Sequence, residues 1–131
     1  VDSLKLLQEI NKQAVKYNRT VKVLLQVYIA KEETKFGMNE EELQQAIEQA
    51  SHLSNINICG LMGMASFSND MELVRNEFRS LKKIFDQYSH ISTSYCRMQW
   101  LSMGMSADYG IALEEGSNMV RIGSLLFGSR Q

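Results

Sequence analysis

An α/β fold, in which helices alternate with parallel strands, is what this sequence predicts, and three observations carry the expectation. Stretches with apolar residues every three or four positions alternate with shorter runs rich in β-branched and apolar residues. Two of those runs, 21–29 and 56–65, read as mostly buried strands, which is the pattern of a parallel sheet. Parallel neighbours need a crossover, and the intervening helices supply it, giving the order αβαβαβαβ. Four such units make half of an eightfold barrel, which as a whole typically needs about 250 residues. A small doubly wound sheet fits the same length and order.

Each element has its own warrant. From Asp2, the residues Leu4, Leu7, Ile10 and Ala14 recur at helical spacing, with Asp2 or Ser3 placed to accept from the first free backbone N–H groups; this predicts a helix to about Tyr17. Asn18, Arg19 and Thr20 break the pattern, and the strand 21–29 follows. After the polar loop 31–37, Asn39 stands three residues before Glu42, a capping-box spacing ahead of Leu43, Ala46, Ile47 and Ala50, so a second helix runs to about His52. The strand 56–65 contains Gly60 and Gly63, which suggest close backbone approach. Beyond the loop 66–69, Met71, Val74, Phe78, Leu81 and Phe85 mark a third helix that ends near Tyr88. A short strand at 99–103 comes next, then a short helix capped by Ser106 and running through Ile111 to Glu115. Gly116 stands where a C-terminal glycine belongs, and 118–122 returns to strand.

At 131 residues and 15.0 kDa, with 44% apolar residues, the chain fits one domain over 1–131 with its own core. Fourteen Lys and Arg stand against fifteen Asp and Glu, so no basic excess marks it for nucleic acid or an anionic membrane, and a small-molecule partner is expected. Cys59 and Cys96 are too few and too far apart for a disulfide framework and read as reduced thiols. No apolar run approaches the roughly 20 residues that span a bilayer, and the first residues lack the order of a signal peptide, so the expected location is the cytoplasm. The sequence has no proline, where average usage of about 5% would give roughly six or seven. It also begins at Val1, already inside a helix cap; both features lead to the expectation of a fragment.

In either architecture the active end lies at the carboxyl ends of the strands, so the loops 31–37, 66–69, 104–106 and 123–124 face one site. Gly104-Met105-Ser106 follows a strand and opens a helix: the glycine permits close approach, and the serine hydroxyl and first-turn N–H groups suit an anion. Arg121-Ile122-Gly123-Ser124 ends the next strand with backbone N–H groups, a hydroxyl and one fixed positive charge. Each motif alone is an ordinary cap or turn. Side by side they predict a phosphate cup, and barrels often hold phosphate with the loops after their last two strands.

Other residues read more plainly. His52 and His90 are surface histidines without a second ligand at metal spacing, so no metal is expected. Met62, Met64, Met103 and Met105 cluster at strand ends, where they fill the core or pack adaptably beside a ring. Trp100 is expected between a strand and the outer helices, with a pocket role as the alternative. No Ser-His-Asp or paired-carboxylate set stands out.

The run 101–109, followed by Ala112, Glu115-Gly116-Ser117 and Met119-Val120-Arg121-Ile122-Gly123-Ser124-Leu125-Leu126-Phe127-Gly128, resembles the C-terminal signature of the pyridoxal-phosphate homeostasis proteins. Leu25-Gln26-Val27 through Thr34-Lys35-Phe36-Gly37, and Gly60-Leu61-Met62, agree with the same family in order and spacing. The resemblance implies the C-terminal half of a (β/α)8 barrel of the alanine-racemase type and a role as carrier or regulator of pyridoxal 5'-phosphate without robust catalysis. It places Ser106, Gly123 and Ser124 at the phosphate, Arg121 opposite the pyridine nitrogen, and Met105 with them among the cofactor-binding residues. An arginine there, always protonated, disfavours a protonated pyridine and weakens the ring as an electron sink. The lysine that forms the Schiff base lies on the family's first barrel strand, a part absent from this chain, and Lys35 does not correspond to it.

Two readings compete with the carrier: a pyridoxal-phosphate-dependent amino-acid racemase, and a barrel enzyme that uses the same cup for a phosphorylated small molecule. The partners implied are the cofactor and apo-enzymes that receive it. Half a barrel would also expose strand edges and apolar surface, so self-association is expected.

Overall fold

The computed structural model describes residues 1–31 and 37–123. The elements are α1 (Leu4–Lys16), β1 (Val21–Gln26), α2 (Glu40–Ala50), β2 (Ile56–Gly63), α3 (Met71–Tyr88), β3 (Cys96–Met105), α4 (Tyr109–Glu114) and β4 (Met119–Arg121). All neighbouring strands are parallel, in the order β1-β2-β3-β4. This order separates the two architectures left open by the sequence. A doubly wound sheet reverses its strand order at a switch point, whereas an arc of a barrel never does. The fold is therefore a half-barrel.

The helices start where the cap residues dictate. Ser3 accepts from the Leu6 N–H at 3.1 Å, and Asp70 accepts from Leu73 at 3.3 Å. At α2 the full capping box forms: Asn39 Oδ1 accepts from Glu42 N at 2.8 Å and Glu42 Oε1 accepts from Asn39 N at 3.2 Å. Leu7, Leu43, Ala46, Ile47, Phe78 and Leu81 pack against the strand residues Leu25, Ile58, Leu61, Leu101 and Met103 to form one core. The buried stripe of α3 is Val74, Glu77, Phe78, Leu81 and Ile84. The expected Met71 is exposed and Phe85 is half-buried, while a carboxylate occupies the stripe.

Three strands differ from expectation. β1 stops at Gln26 rather than reaching 29; Val27 N still donates to Met62 O of β2 at 2.8 Å, and on the outer edge Met38 N donates to Gln26 O at 2.8 Å and Tyr28 N donates to Met38 O at 2.9 Å. Val1 uses the same outer edge, donating to Leu24 O at 2.9 Å and accepting from Gln26 N at 2.7 Å. That edge is thus paired where bare backbone was expected, and the exposed Lys22 stands on the stretch that remains, a charge that discourages strand addition.

β3 is longer than expected, starting at Cys96 and taking in Gly104 and Met105. The ladder passes from Ile58↔Cys96 to Gly60↔Trp100, so β3 bulges against β2. Gly60 explains the close approach there: a Cβ on it would fall 1.8 Å from the Trp100 carbonyl oxygen. β4 is shorter than expected, and Asn118 before it meets β3 through both backbone and side chain: its N donates to Leu101 O at 3.1 Å, its Oδ1 accepts from Leu101 N at 2.7 Å and its Nδ2 donates to Gln99 O at 2.9 Å. Among the described residues, no helix is long and apolar enough to cross a membrane.

Candidate phosphate-binding site

The carboxyl ends of β3 and β4 lie side by side, with Met105 opposite Arg121. Gly104 makes the adjoining turn feasible. Its φ is +106°, and a Cβ there would come within 2.7 Å of Ala112 Cβ and 3.1 Å of Tyr109 Cα, so only glycine lets α4 fold this closely onto β3.

Ser106 does not cap α4. The cap position belongs to Asp108, two residues later. Its carboxylate reaches back to accept from Met105 N at 2.8 Å while its own N–H donates to Met105 O at 3.1 Å, which closes a turn over 106–108 before the helix can begin. Ser106 sits half-buried within that turn. A cleft of about 240 Å³ opens between this turn and the loop 66–69, with Ser66, Asn69 and Asp108 among its walls.

β4 is held in place by a residue that sequence reasoning passed over. The buried Ser117 hydroxyl lies 2.6 Å from Met103 O, 2.9 Å from Met119 O and 3.2 Å from Leu101 O. Its single proton serves one carbonyl at a time, the Met103 oxygen being nearest. Ser117 lies between the glycine expected to end the helix and the strand expected from Asn118, and nothing local marks it as a staple between β3 and β4. Gly116 has φ of +108°, the left-handed conformation expected after a helix.

Arg121 is half-buried at the rim. Its Nη2 donates to Gly63 O at a long 3.4 Å, and its Nε is buried with no hydrogen-bond partner among the described residues. Burial pulls the guanidinium pKa below its ordinary value, with Asp108 opposing, yet a guanidinium in a protein stays charged. The result is a fixed cation with a donor to spare, matched to an anionic oxygen or an unprotonated ring nitrogen. Two residues on, a Cβ on Gly123 would meet nothing within 4 Å among the described residues. Ser124, Lys35 and the rest of 32–36 lie outside the described residues.

The remaining candidates fall away from this rim or into the core. Trp100 is 38% exposed on the sheet face opposite the buried Leu101, so it does not pack under the helices; the bulge against Gly60 turns it the other way. Met103 is fully buried, whereas Met105 is exposed. His52 and His90 are exposed. Both cysteines are free and buried, and burial, with Cys59 nearby, pushes the Cys96 thiol up to about 11.

Residues 1–131 match the family model for the alanine racemase N-terminal domain. A pyridoxal phosphate homeostasis protein of Aquifex aeolicus (strain VF5) is 39% identical over 132 residues, covering 100% of this chain and 57% of that protein. A crystal structure from Bifidobacterium adolescentis superposes with a TM-score of 0.88 at 34% identity, over 97% of this chain and 51% of the other. PipY of Synechococcus elongatus PCC7942, solved with pyridoxal phosphate bound, gives a TM-score of 0.83 at 30% identity, over 98% of this chain and 58% of its own. The chain spans somewhat over half the length of the curated relatives it matches. With its whole length matched and its strands forming the corresponding arc of the barrel, the chain belongs to the alanine racemase N-terminal-domain family.

Proposed function

We propose that this chain binds pyridoxal 5'-phosphate at the carboxyl ends of β3 and β4 and serves in cofactor homeostasis, as a carrier or regulator without robust turnover. The half-buried guanidinium of Arg121 carries the reading: it is a fixed cation at the rim, opposite Met105, whose Nη2 makes one long hydrogen bond among the described residues, to Gly63 O. Support comes from the relatives named for this role and from the likeness to PipY with the cofactor bound. Ser106, Gly123 and Ser124 take the phosphate, Arg121 faces the pyridine nitrogen, and Met105 lies beside them.

The bound cofactor supplies an electron-withdrawing ring. A guanidinium at the ring nitrogen keeps that nitrogen unprotonated and so weakens the ring as a sink, which favours holding the cofactor over racemase chemistry. The proposal extends to apo-enzymes as recipients and to a second copy of the chain on the open sheet face.

Equilibrium dialysis of the purified chain against pyridoxal phosphate, pyridoxal and inorganic phosphate tests the assignment. Pyridoxal phosphate binds, inorganic phosphate competes, and pyridoxal binds at least about tenfold more weakly, the worth of a charge-assisted contact. A phosphorylated sugar that outcompetes pyridoxal phosphate overturns the assignment in favour of another phosphorylated ligand.

A further inference from the structure

Glu77 is 4% exposed, on the buried stripe of α3 between Val74 and Phe78. Carboxylates are almost never buried this deeply without partners. Its partners all lie at the carboxyl ends of β1 and β2. Ser66 N donates to Oε1 at 2.7 Å, Ser66 Oγ donates to Oε2 at 2.8 Å, and Lys31 N donates to Oε2 at 3.0 Å. Lys31 N also lies 2.9 Å from Ser66 Oγ, so the three groups close on one another.

Among the described residues no salt bridge pairs Glu77 with a cation. Its charge is met, among the described residues, by donors from two loops. A buried carboxylate is an expensive way to gain stability, since a well-packed apolar side chain of similar volume usually does as well. What the carboxylate adds is geometry: it joins the segment after β1 to the segment after β2 at a fixed separation. The second segment leads directly to the rim, because Gly63, three residues before Ser66, receives the Arg121 contact.

We infer that Glu77 is a positioning residue for the cofactor site: it clamps Lys31 and Ser66 so that the rim facing Arg121 is set before the ring arrives. This rests on the pyridoxal-phosphate reading above. The clamped segments follow β1 and β2, and the second of them faces the turn that carries Ser106 across the cleft, while the proposed phosphate donors belong to β3 and β4; the clamp therefore sets the wall against which a ring would rest rather than the phosphate contacts themselves.

The test is Glu77→Gln in the full chain, which keeps the volume but sets an amide N–H₂ against at least one of the three donors. Hydrogen exchange at the Lys31 and Ser66 amides is expected to rise about tenfold or more while the core amides of β2 stay protected. In dialysis, affinity for pyridoxal phosphate falls about tenfold and affinity for inorganic phosphate stays within about twofold. Ser66→Ala, a milder change that keeps the carboxylate, gives the same pattern at about threefold and stands in should the glutamine variant fail to fold. Faster exchange with unchanged pyridoxal phosphate affinity overturns the inference, as does equal weakening of both ligands alongside a general loss of protection. If the unaltered chain takes up inorganic phosphate but no pyridoxal phosphate, the cofactor reading itself has failed. The exchange data then report separately whether the clamp exists.

Discussion

Met105 lies opposite Arg121 across the β3–β4 ladder, so the residues that end the two strands share one rim. Arg121→Met tests whether the guanidinium at that rim binds a ligand or supports the fold. Methionine fills much of the same volume without burying an unpaired N–H. The variant should lose about tenfold or more in pyridoxal phosphate affinity, yet the ligand-free protein should be as stable as before or gain about 1 kcal/mol. Dialysis and calorimetry on the same sample decide it. A melting temperature several degrees lower would mean that the guanidinium supports the fold through Gly63 rather than waiting for a ligand.

Three glycines should respond differently to alanine. At Gly60 the added Cβ meets backbone atoms of Trp100 at 1.8 and 2.7 Å, so strands β2 and β3 must part; the expected cost is about 3 kcal/mol or more, read from urea denaturation. At Gly110 a Cβ meets nothing within 4 Å, and alanine's helix preference should add about 0.5–1 kcal/mol. At Gly123 a Cβ likewise meets nothing among the described residues, so Gly123→Ala should leave the denaturation midpoint unchanged and, if this glycine takes the phosphate as proposed, weaken phosphate binding. A large stability loss at Gly123 would contradict the open geometry.

The helices were legible because their caps and stripes are local. Asn39 with Glu42 announces a capping box that forms in full. The close approach at Gly104 was legible, since a left-handed glycine after a strand has few other uses, and Arg121 was legible as a fixed charge at a strand end. Ser106 misled as a cap because Asp108, equally able to cap, lies two residues on and spends its carboxylate on Met105. Glu77 was hidden by its charge, although its position three residues after Val74 and four before Leu81 puts it in the buried stripe. Ser117 and Asn118 act across strands, and nothing local distinguishes such contacts from a turn.

Self-association should proceed through the open sheet face rather than the β1 edge, which Val1 and Met38 already pair. In the register Leu24–Gly60–Trp100, the glycine leaves a gap between two apolar side chains that the helices do not cover. A net charge of −1 offers little repulsion between copies. Sedimentation velocity should therefore show a concentration-dependent shift toward a dimer, which Trp100→Glu abolishes and Lys22→Glu at the edge does not. A single monomeric boundary at every concentration would sink the idea.

Acid should loosen α4 before it reaches the core. Glu115 accepts from Arg79 Nε at 3.0 Å and Arg75 Nη1 at 2.7 Å, and Arg75 also reaches Glu114 at 2.7 Å, tying α3 to the end of α4. The Arg79 hydrogen bond, followed by that of Arg75, holds the Glu115 carboxyl below the ordinary carboxylate range. A carboxyl with a depressed folded pKa stabilises the fold while ionised. Its contribution is present in full above the ordinary range and disappears as pH falls through the folded value. The urea midpoint of the unaltered protein should thus fall from about pH 5 downward more steeply than that of Glu115→Gln, with the two curves converging in strong acid. Added salt should narrow the gap at neutral pH, since the Arg79 side chain is 61% exposed. Parallel curves across the whole range would show that these pairs contribute nothing to holding α4 against α3.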